Sequence, residues 1–430
     1  MLLPGQVEEH DGVFSEARGL VLAAGAEVVD DATGPLVQRR ARPTASTLLG
    51  AGKVQEVKGA IARTRPDAVL VDNDLSPAHV RNLEKTWEKR VIDRSELILD
   101  IFAARARTRQ AKLQVELAQM EYLRPRLRRM WTHLERTEGA IGTRGPGETQ
   151  LETDRRLIDK RIRDLHHRLA EIEQRARQQV RARAEVFTAG LLGYTNAGKS
   201  TLLNRLTGAD EFVADMPFAT LDTRTRQWEL PDGRVILLSD TVGFLQRLPH
   251  HLVASFHATL EEATSVDLLF HVVDASHPDA RHQMAAVDET LARVTNRHAD
   301  LLVLNKLDRV ADPILLPLLR EGRREEVVHI SAQTGEGIDR LTRLVTGRLD
   351  ARTALVVASI PLADGRSAAA ARAAGVVLAE ELDGSDGRLR LTLRILEGAL
   401  GNLRRAVSRE VAIDVVEPAA EPYARDEVGT

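Results

Sequence analysis

The chain has 430 residues, 43% of them hydrophobic, and a formal net charge of −3. This length predicts two to four domains with ordinary apolar cores. The absence of cysteine excludes disulfides and thiolate metal sites. Because the sequence shows neither a signal-like N-terminus nor an apolar run long enough to cross a bilayer, we expect a cytoplasmic protein without a membrane span.

The first region, residues 1–104, alternates strand-like and helix-like patterns. Short strands are predicted at 26–29, 68–71 and 91–93, and helices at 54–62 and from Ser76-Pro77 onward. This order predicts a small α/β domain with a parallel sheet. A Gly-Ala-Gly-Lys run at 50–53 lacks the upstream glycine and the following hydroxyl of a phosphate loop, which favours a turn and a helix start.

The second region, residues 105–184, has a helical pattern in which apolar residues repeat at the spacing of a coiled-coil seam. The seam residues are Leu113, Leu117, Met120, Leu127, Trp131 and Leu134, and then Ile158, Ile162, Leu165, Leu169 and Ile172. Between the two stretches, the glycines and the proline of 139–150 are incompatible with a helix. We therefore expect an antiparallel helical hairpin with a glycine-rich tip.

This hairpin is strongly basic. Between Arg105 and Arg183 there are 20 Lys and Arg and 11 Asp and Glu, a net charge of +9, so the remainder of the chain carries −12. Four arginines crowd around one proline, with Tyr122 and Trp131 nearby: Arg124, Arg126, Arg128 and Arg129. Such a segment can neutralise RNA phosphates while its aromatic rings stack on unpaired bases. The alternative is a solvated helix face whose arginines pair with its own glutamates.

The third region, residues 185–350, contains a phosphate-binding loop between a predicted strand and a predicted helix. The glycines of this loop let backbone N–H groups surround a polyphosphate. Lys199 is expected to reach the β and γ phosphates, and the Ser200 hydroxyl can ligate Mg²⁺. The loop comprises Gly193, Tyr194, Thr195, Asn196, Ala197, Gly198, Lys199, Ser200 and Thr201.

Three further motifs follow predicted strands, in the order expected of a P-loop GTPase. They are Asp240-Thr241-Val242-Gly243 after the strand at 235–239, Asn305-Lys306-Leu307-Asp308 after the strand at 301–304, and Ser331-Ala332-Gln333 after the strand at 327–330. We assign catalytic roles to Lys199, Asp240 and Gly243, with Asp240 behind the metal. Four motifs in this order make coincidence negligible.

The Asn-Lys-Leu-Asp motif selects the base. The carboxylate of Asp308 can accept hydrogen bonds from N1–H and the exocyclic amine of guanine, whereas adenine offers no donor at N1. The ligands are therefore predicted to be GTP and GDP. Together the motifs resemble the translation-factor side of the P-loop GTPases, which implies an α/β fold for this region.

Two positions bear on the rate of hydrolysis. Many P-loop GTPases place a water-orienting glutamine after the second-switch glycine, but Phe244 follows Gly243 here. We expect slow intrinsic hydrolysis that is completed from outside or by a rearranged segment at 244–251, unless Phe244 only packs and Gln246 substitutes. Asn196 matches an asparagine that holds K⁺ against the nucleotide in some P-loop GTPases, and the alternative is a loop-capping amide.

The last region, residues 351–430, is predicted to form a small α+β domain followed by a tail. Strands are predicted at 354–360, 375–382 and 388–393, and a helix extends to about residue 408. No motif in this region carries chemistry. A docking or capping role is expected.

With the hairpin and the GTPase motifs together, the chain resembles the HflX family of ribosome-associated GTPases over nearly its full length. The most specific match is the glycine-rich run at 142–152 with Asp154-Arg155-Arg156 after it, and further matches lie at 75–84, 93–102 and 218–222. Thr223 stands where that family commonly has a proline, which leaves open the rigidity of the first switch. The first fifteen residues and the C-terminal domain match least.

The resemblance implies a factor that binds the large ribosomal subunit and its rRNA in the GTP state and splits stalled or idle ribosomes. It also implies a catalytic role for Thr220, which would complete the Mg²⁺ shell with Ser200; Thr223 and Thr225 are the alternatives. The first-switch residues assigned to the nucleotide are Phe218, Ala219, Thr220, Leu221 and Asp222. The tip residues assigned to RNA are Arg144, Gly145 and Gly147.

Two other functions remain open from the sequence. One is a GTPase that assembles the large subunit or remodels RNA without splitting finished ribosomes. The other is a binding protein that uses the hairpin for protein partners, with the nucleotide merely structural. In each case we expect a monomer when the protein is off the ribosome.

Overall fold

The computed structural model describes residues 14–29, 36–39, 42–130, 146–182, 186–209, 217–218, 224–241, 243–245, 256, 260–261, 264–295, 297–383 and 386–419. The N-terminal part is a two-stranded parallel sheet with helices around it, as predicted. Its elements are α1 (Ser15–Ala23), α2 (Ala51–Thr64), β1 (Ala68–Val71), α3 (Pro77–Trp87), β2 (Arg90–Asp93) and α4 (Arg94–Arg105). Helix α3 begins where expected because the hydroxyl of Ser76 accepts from the backbone N–H of His79 at 3.2 Å.

Two local predictions in this part have clear outcomes. The run at 50–53 is a turn and helix start, since Gly50 is the extended N-cap residue of α2. The strand predicted at 26–29 is wrong, because these residues are exposed and no described strand pairs with them. An isolated apolar run does not form a strand without a neighbour to accept its backbone hydrogen bonds.

Two long helices follow, α5 (Arg109–Met130) and α6 (Pro146–Ala182). They pack along the predicted seam, in which Leu113, Leu117 and Leu165 are buried. Ion pairs join the helices beside the seam, including Glu116 with Arg161. The expectation that residues 139–150 contain no helix is wrong for 146–150, because a proline in the first turn of a helix loses no backbone hydrogen bond.

The GTPase part is a six-stranded sheet with the order β4-β5-β3-β6-β7-β8, in which β4 is antiparallel to β5 and the other pairs are parallel. The strands are β3 (Thr188–Gly193), β4 (Arg224–Glu229), β5 (Val235–Asp240), β6 (Leu268–Asp274), β7 (Leu301–Asn305) and β8 (Glu326–His329). The helices of this part are α7 (Lys199–Thr207), α8 (Ala280–Val294), α9 (Leu315–Arg320) and α10 (Ile338–Ala351). Apolar side chains cover both faces of the sheet, so the motifs that follow β3, β5, β7 and β8 meet at its carboxyl edge.

The C-terminal part is α+β, as expected, and has a β-α-β-β-α-β order with helices packed on one antiparallel sheet. Its elements are β9 (Thr353–Pro361), α11 (Gly365–Ala374), β10 (Val376–Asp383), β11 (Arg388–Leu396), α12 (Glu397–Ala406) and β12 (Ala412–Glu417). Helix α11 and the edge strand β12 were not predicted from the sequence. Across the described residues, no helix combines the length and the apolar character needed to cross a membrane.

Candidate active site

The phosphate loop leaves β3 and enters α7 with two residues in the left-handed region, Asn196 at φ 63° and Gly198 at φ 90°. A Cβ atom at Gly198 would lie 2.3 Å from Nδ2 of Asn305, so this position requires glycine. The loop thus places the N-terminus of α7 at the carboxyl edge of the sheet. Such a helix N-terminus directs backbone N–H groups towards a phosphate.

Lys199, the first residue of α7, is buried against the loop that precedes it. Its ammonium group donates to the carbonyl oxygens of Gly193 at 3.1 Å and Tyr194 at 2.8 Å. Burial lowers the pKa of Lys199 to about 8, although the nearby carboxylate of Asp240 acts in the opposite direction. A lysine ammonium has three N–H donors, so the side chain can bind the loop and a phosphate oxygen together.

The two motifs predicted to bind Mg²⁺ meet between α7 and β5. The hydroxyl of Ser200 donates to Oδ2 of Asp240 at 2.7 Å, and Asp240 is fully buried. The next residue, Thr241, fixes the end of β5 because its hydroxyl donates to the carbonyl of Leu191 at 2.8 Å. A hydroxyl and a carboxylate are hard oxygen donors of the kind that Mg²⁺ prefers.

The second-switch motif lies directly on the phosphate loop. A Cβ atom at Gly243 would lie 2.9 Å from Cα of Thr195 and 3.1 Å from Nζ of Lys199, so only glycine fits there. Phe244 continues this contact, because its carbonyl accepts from the N–H of Thr195 at 2.8 Å and its N–H donates to Gly193 at 3.1 Å. The Phe244 ring is buried in the core. Val242 and Gln246 lie outside the described residues.

The base-binding motifs are joined by Asn305, which is buried at the end of β7. Its side-chain amide donates to the carbonyl of Ala197 at 2.9 Å, and its amide oxygen accepts from the N–H of Ala332 at 2.9 Å. One side chain therefore holds the phosphate loop beside the Ser331-Ala332 loop. An amide is needed at this position because it donates with one end and accepts with the other.

Asp308 projects from a short 3₁₀ turn, where its Oδ1 accepts from the hydroxyl of Ser331 at 2.5 Å. Its neighbour Lys306 has φ 62° and pairs with Asp274 at the end of β6, at 2.7 Å. Asp274 was not predicted as a site residue from the sequence. Arg205 of α7 was not predicted either; it donates to the backbone carbonyls of Ala332 and Gln333 and fixes the Ser331-Ala332-Gln333 loop. The sequence feature that could have indicated Asp274 is its position as a carboxylate at the end of a largely apolar strand.

The first switch is described only in part. Phe218 has φ 56° and packs edge to face on Phe102 of α4, with 4.6 Å between ring centroids. Arg105 donates to the carbonyl of Phe218 at 3.4 Å. The first switch therefore contacts the N-terminal part of the chain. The other residues assigned to this switch lie outside the described residues, namely Ala219, Thr220, Leu221 and Asp222.

Arg126, one of the residues assigned to RNA, makes its described contacts within the chain. Its guanidinium donates to the buried carboxylate of Asp93 at 2.7 Å and to the carbonyl of Leu75 at 2.9 Å, and it stacks on the ring of Tyr122. The Tyr122 hydroxyl donates to the same carboxylate at 2.9 Å. Arg126 and Tyr122 therefore fasten α5 to the N-terminal part of the chain.

The other RNA candidates differ from Arg126. Arg124 is half exposed and pairs with Asp159 of α6 at 2.8 Å, as the solvated-face alternative expects, although the partner belongs to the second helix. Only the backbone of Arg128, Arg129 and Gly147 is described, and it is helical. Arg144, Gly145 and Trp131 lie outside the described residues.

Three family profiles match the chain in sequence order. They are "GTP-binding GTPase N-terminal" at residues 12–103, "GTP-binding GTPase Middle Region" at 105–183 and "50S ribosome-binding GTPase" at 188–306. A crystal structure of a GTP-binding protein from the archaeon Sulfolobus solfataricus in complex with GDP is 24% identical, with coverage of 79% of this chain and 96% of that chain and a TM-score of 0.42.

Full-length relatives agree with these profiles. GTPase HflX of Escherichia coli is 46% identical over 356 residues, which cover 82% of this chain and 83% of that protein. GTPase HflX of Magnetococcus marinus is 44% identical over 405 residues, which cover 93% of this chain and 91% of that protein. With the phosphate loop, the Asp240 motif and the guanine motif assembled at one sheet edge, this chain belongs to the HflX family of GTPases, enzymes that hydrolyse GTP.

Proposed function

We propose that this GTPase binds the large ribosomal subunit in its GTP-bound state and splits stalled or idle ribosomes. The observation that carries the proposal is the attachment of a long helical hairpin to a guanine-nucleotide site within one chain. Helix α6 alone has 37 residues and is therefore about 55 Å long. A family profile described as a 50S ribosome-binding GTPase supports the same partner.

The proposed RNA contact lies towards the far end of this hairpin. Arg126 is engaged with Asp93, so the phosphate-binding residues are proposed to be Arg124, Arg128, Arg129 and, at the tip, Arg144, Gly145 and Gly147. Glycines allow close approach to a nucleic-acid backbone, and arginines supply charge. Such contacts would place the protein in the cytoplasm, where ribosomes are found. We also propose that the unbound protein is a monomer.

The proposed nucleotide site uses Mg²⁺. Ser200 would ligate the ion directly, Thr220 of the first switch would complete its shell, and Asp240 would hold a metal-bound water. The 2.7 Å contact between the Ser200 hydroxyl and Asp240 supports this arrangement, because both oxygens already converge. The ion would neutralise charge on the β and γ phosphates.

We also propose that Asn196 binds K⁺ beside the nucleotide. Its side chain is exposed at the rim of the phosphate loop, which favours ligand binding over a loop-capping role. A cation there would supply the charge that an arginine finger supplies elsewhere. Hydrolysis rates in KCl and NaCl, measured for the wild-type protein and for Asn196→Ala, test this assignment. If the wild-type protein hydrolyses GTP equally fast in both salts, as Asn196→Ala is expected to do, the assignment is rejected.

Co-sedimentation tests the ribosomal proposal. Intact ribosomes are mixed with the protein and a non-hydrolysable GTP analogue, and the subunits are separated on a sucrose gradient. Dissociation into subunits supports the proposal. Binding only to precursor particles would support the assembly alternative, and no binding at all would leave a protein-binding role. Asp308→Asn is the matched control. This variant should dissociate ribosomes with a xanthosine triphosphate analogue but not with the guanosine analogue.

A further inference from the structure

The phosphate loop is tied to the N-terminal part of the chain through the side chain of Tyr194. This ring is buried, and its hydroxyl donates to Oε2 of Glu16 on α1. The two residues are 178 positions apart in sequence. The contact therefore exists only because α1 packs against the carboxyl edge of the GTPase sheet.

Glu16 is in turn held by an ion-paired cluster. Its other oxygen, Oε1, accepts from Nη2 of Arg94, the first residue of α4, while Nη1 of Arg94 donates to Asp72 at 2.7 Å. Arg94 is only 2% exposed. A buried guanidinium between two carboxylates tolerates little displacement, because each lost contact weakens the compensation of a buried charge. Glu16 therefore has a fixed orientation towards the loop.

The backbone of Tyr194 holds the groups that act on the nucleotide. Its carbonyl accepts from Nζ of Lys199 at 2.8 Å. The next N–H, that of Thr195, donates to the carbonyl of Phe244, which follows the second-switch glycine. A shift of the Tyr194 side chain would therefore move Lys199 and Gly243 together. The N-terminal part would act on both residues indirectly, through Tyr194.

We propose that Glu16, oriented by Arg94, is a positioning residue for the phosphate loop, so that the GTPase site extends into the N-terminal part of the chain. Glu16 fixes Tyr194, and Tyr194 fixes the carbonyl that orients Lys199. Losing the hydroxyl–carboxylate contact lets the loop move and weakens nucleotide binding. Because coupling between two sites is reciprocal, bound nucleotide must also stabilise the packing of α1.

A double-mutant cycle tests this proposal. Glu16→Ala, Tyr194→Phe and the double variant are titrated with fluorescent GTP and GDP analogues, and steady-state kinetics separate KM from kcat. Each single variant should lose about three- to tenfold in GTP affinity. The double variant should lose no more affinity than the single variant that binds GTP less tightly. Ser95→Ala is the matched control, because Ser95 is also buried on α4 but bonds to Asp74. It should keep wild-type affinity.

Hydrogen exchange supplies a second readout, which a purely structural role would not change. Nucleotide should slow exchange of the α1 amides in the wild-type protein, and this protection should be lost in Tyr194→Phe at an unchanged thermal unfolding midpoint. The proposal is overturned if Tyr194→Phe binds GTP normally, if the losses in the cycle are simply additive, or if Ser95→Ala weakens binding equally.

Discussion

The hydroxyl of Ser200 and the carboxylate of Asp240 lie 2.7 Å apart, although 40 residues separate them. Ser200 stands in the first turn of α7, and Asp240 ends β5, so the pair fixes the helix N-terminus beside the neighbouring strand. Burial of Asp240 keeps bulk water from competing for this contact. The pair thereby brings two of the four motifs together at the point where phosphates and metal are expected.

The Asp308→Asn substitution is expected to weaken GTP binding and to strengthen binding of xanthosine triphosphate. An amide can donate to the carbonyl that replaces the guanine amine, whereas the carboxylate cannot. The loss for GTP should be about 2 to 5 kcal/mol, the range for a charged hydrogen-bond pair that becomes buried on binding, as the bound base would bury Asp308. Equilibrium titration with both nucleotides measures the exchange.

Ser331→Ala is the control for this substitution, since it removes the 2.5 Å bond to Asp308 without changing the carboxylate. This variant should bind GTP slightly less tightly than the wild type and should not bind the xanthosine nucleotide more tightly. If Asp308→Asn binds GTP as the wild type does, Asp308 does not read the base.

Nucleotide affinity should fall at alkaline pH because of Lys199. Burial lowers the pKa of this lysine to about 8, and a phosphate favours the protonated amine, so the protein takes up a proton on binding. Affinity should therefore change little below about pH 7.5 and decrease above pH 8, at most about tenfold per pH unit. Titration with GDP between pH 7 and 9 measures the slope.

Lys199→Arg provides the matching control, because a guanidinium keeps its charge over this whole range. Its affinity is expected to be lower at every pH but to lack the lysine contribution to the slope. Guanine itself titrates near the upper end of the range and affects both proteins equally. Identical slopes in the two proteins would show that Lys199 does not titrate there.

The hairpin arginines should separate into two kinds. Arg126→Gln leaves Asp93 buried without its cation, so it should cost about 3 to 5 kcal/mol of folding free energy. Arg124→Gln removes a half-exposed ion pair and should cost about 1 kcal/mol or less. Urea unfolding of the two variants gives this comparison.

Arg126, which matters more for folding stability, should matter less for ribosome binding than Arg124, Arg128 and Arg129. Substitution of Arg124, Arg128 and Arg129 by glutamine should flatten the dependence of log affinity on log salt by about 0.7 to 0.9 for each lost phosphate contact. Arg126→Gln should leave that slope unchanged, and GTP affinity should not respond to either change. A wild-type slope in the triple variant would identify these arginines as a solvated helix face.

Large ribosomal subunits should raise the GTPase rate by at least about tenfold, which corresponds to roughly 1.4 kcal/mol of barrier. The reason is that Phe244 packs in the core, where it offers no group to orient a water molecule. Single-turnover hydrolysis with and without subunits measures the effect. An isolated protein as fast as the ribosome-bound one would mean that the chain supplies its own catalytic group.

The nucleotide motifs could be recognised from the sequence because each is a short run after a strand, and parallel strands end at one edge. The hairpin seam was equally readable, since its apolar residues repeat with the period of packed helices. Strand β6 went unassigned although all seven of its residues are buried, because its apolar residues on either side of His271 do not alternate with polar ones and so do not distinguish a strand from a buried helix.

The sequence by itself thus determined the GTPase chemistry, since each nucleotide motif is a short run of adjacent residues. Only the tertiary structure decided the roles of Arg126, Glu16 and Arg94. Their contacts link positions distant in the chain, as Arg126 reaches Asp93 and Glu16 reaches Tyr194. A charge looks the same in a sequence whether it faces solvent or a buried partner, and packing alone decides which it does.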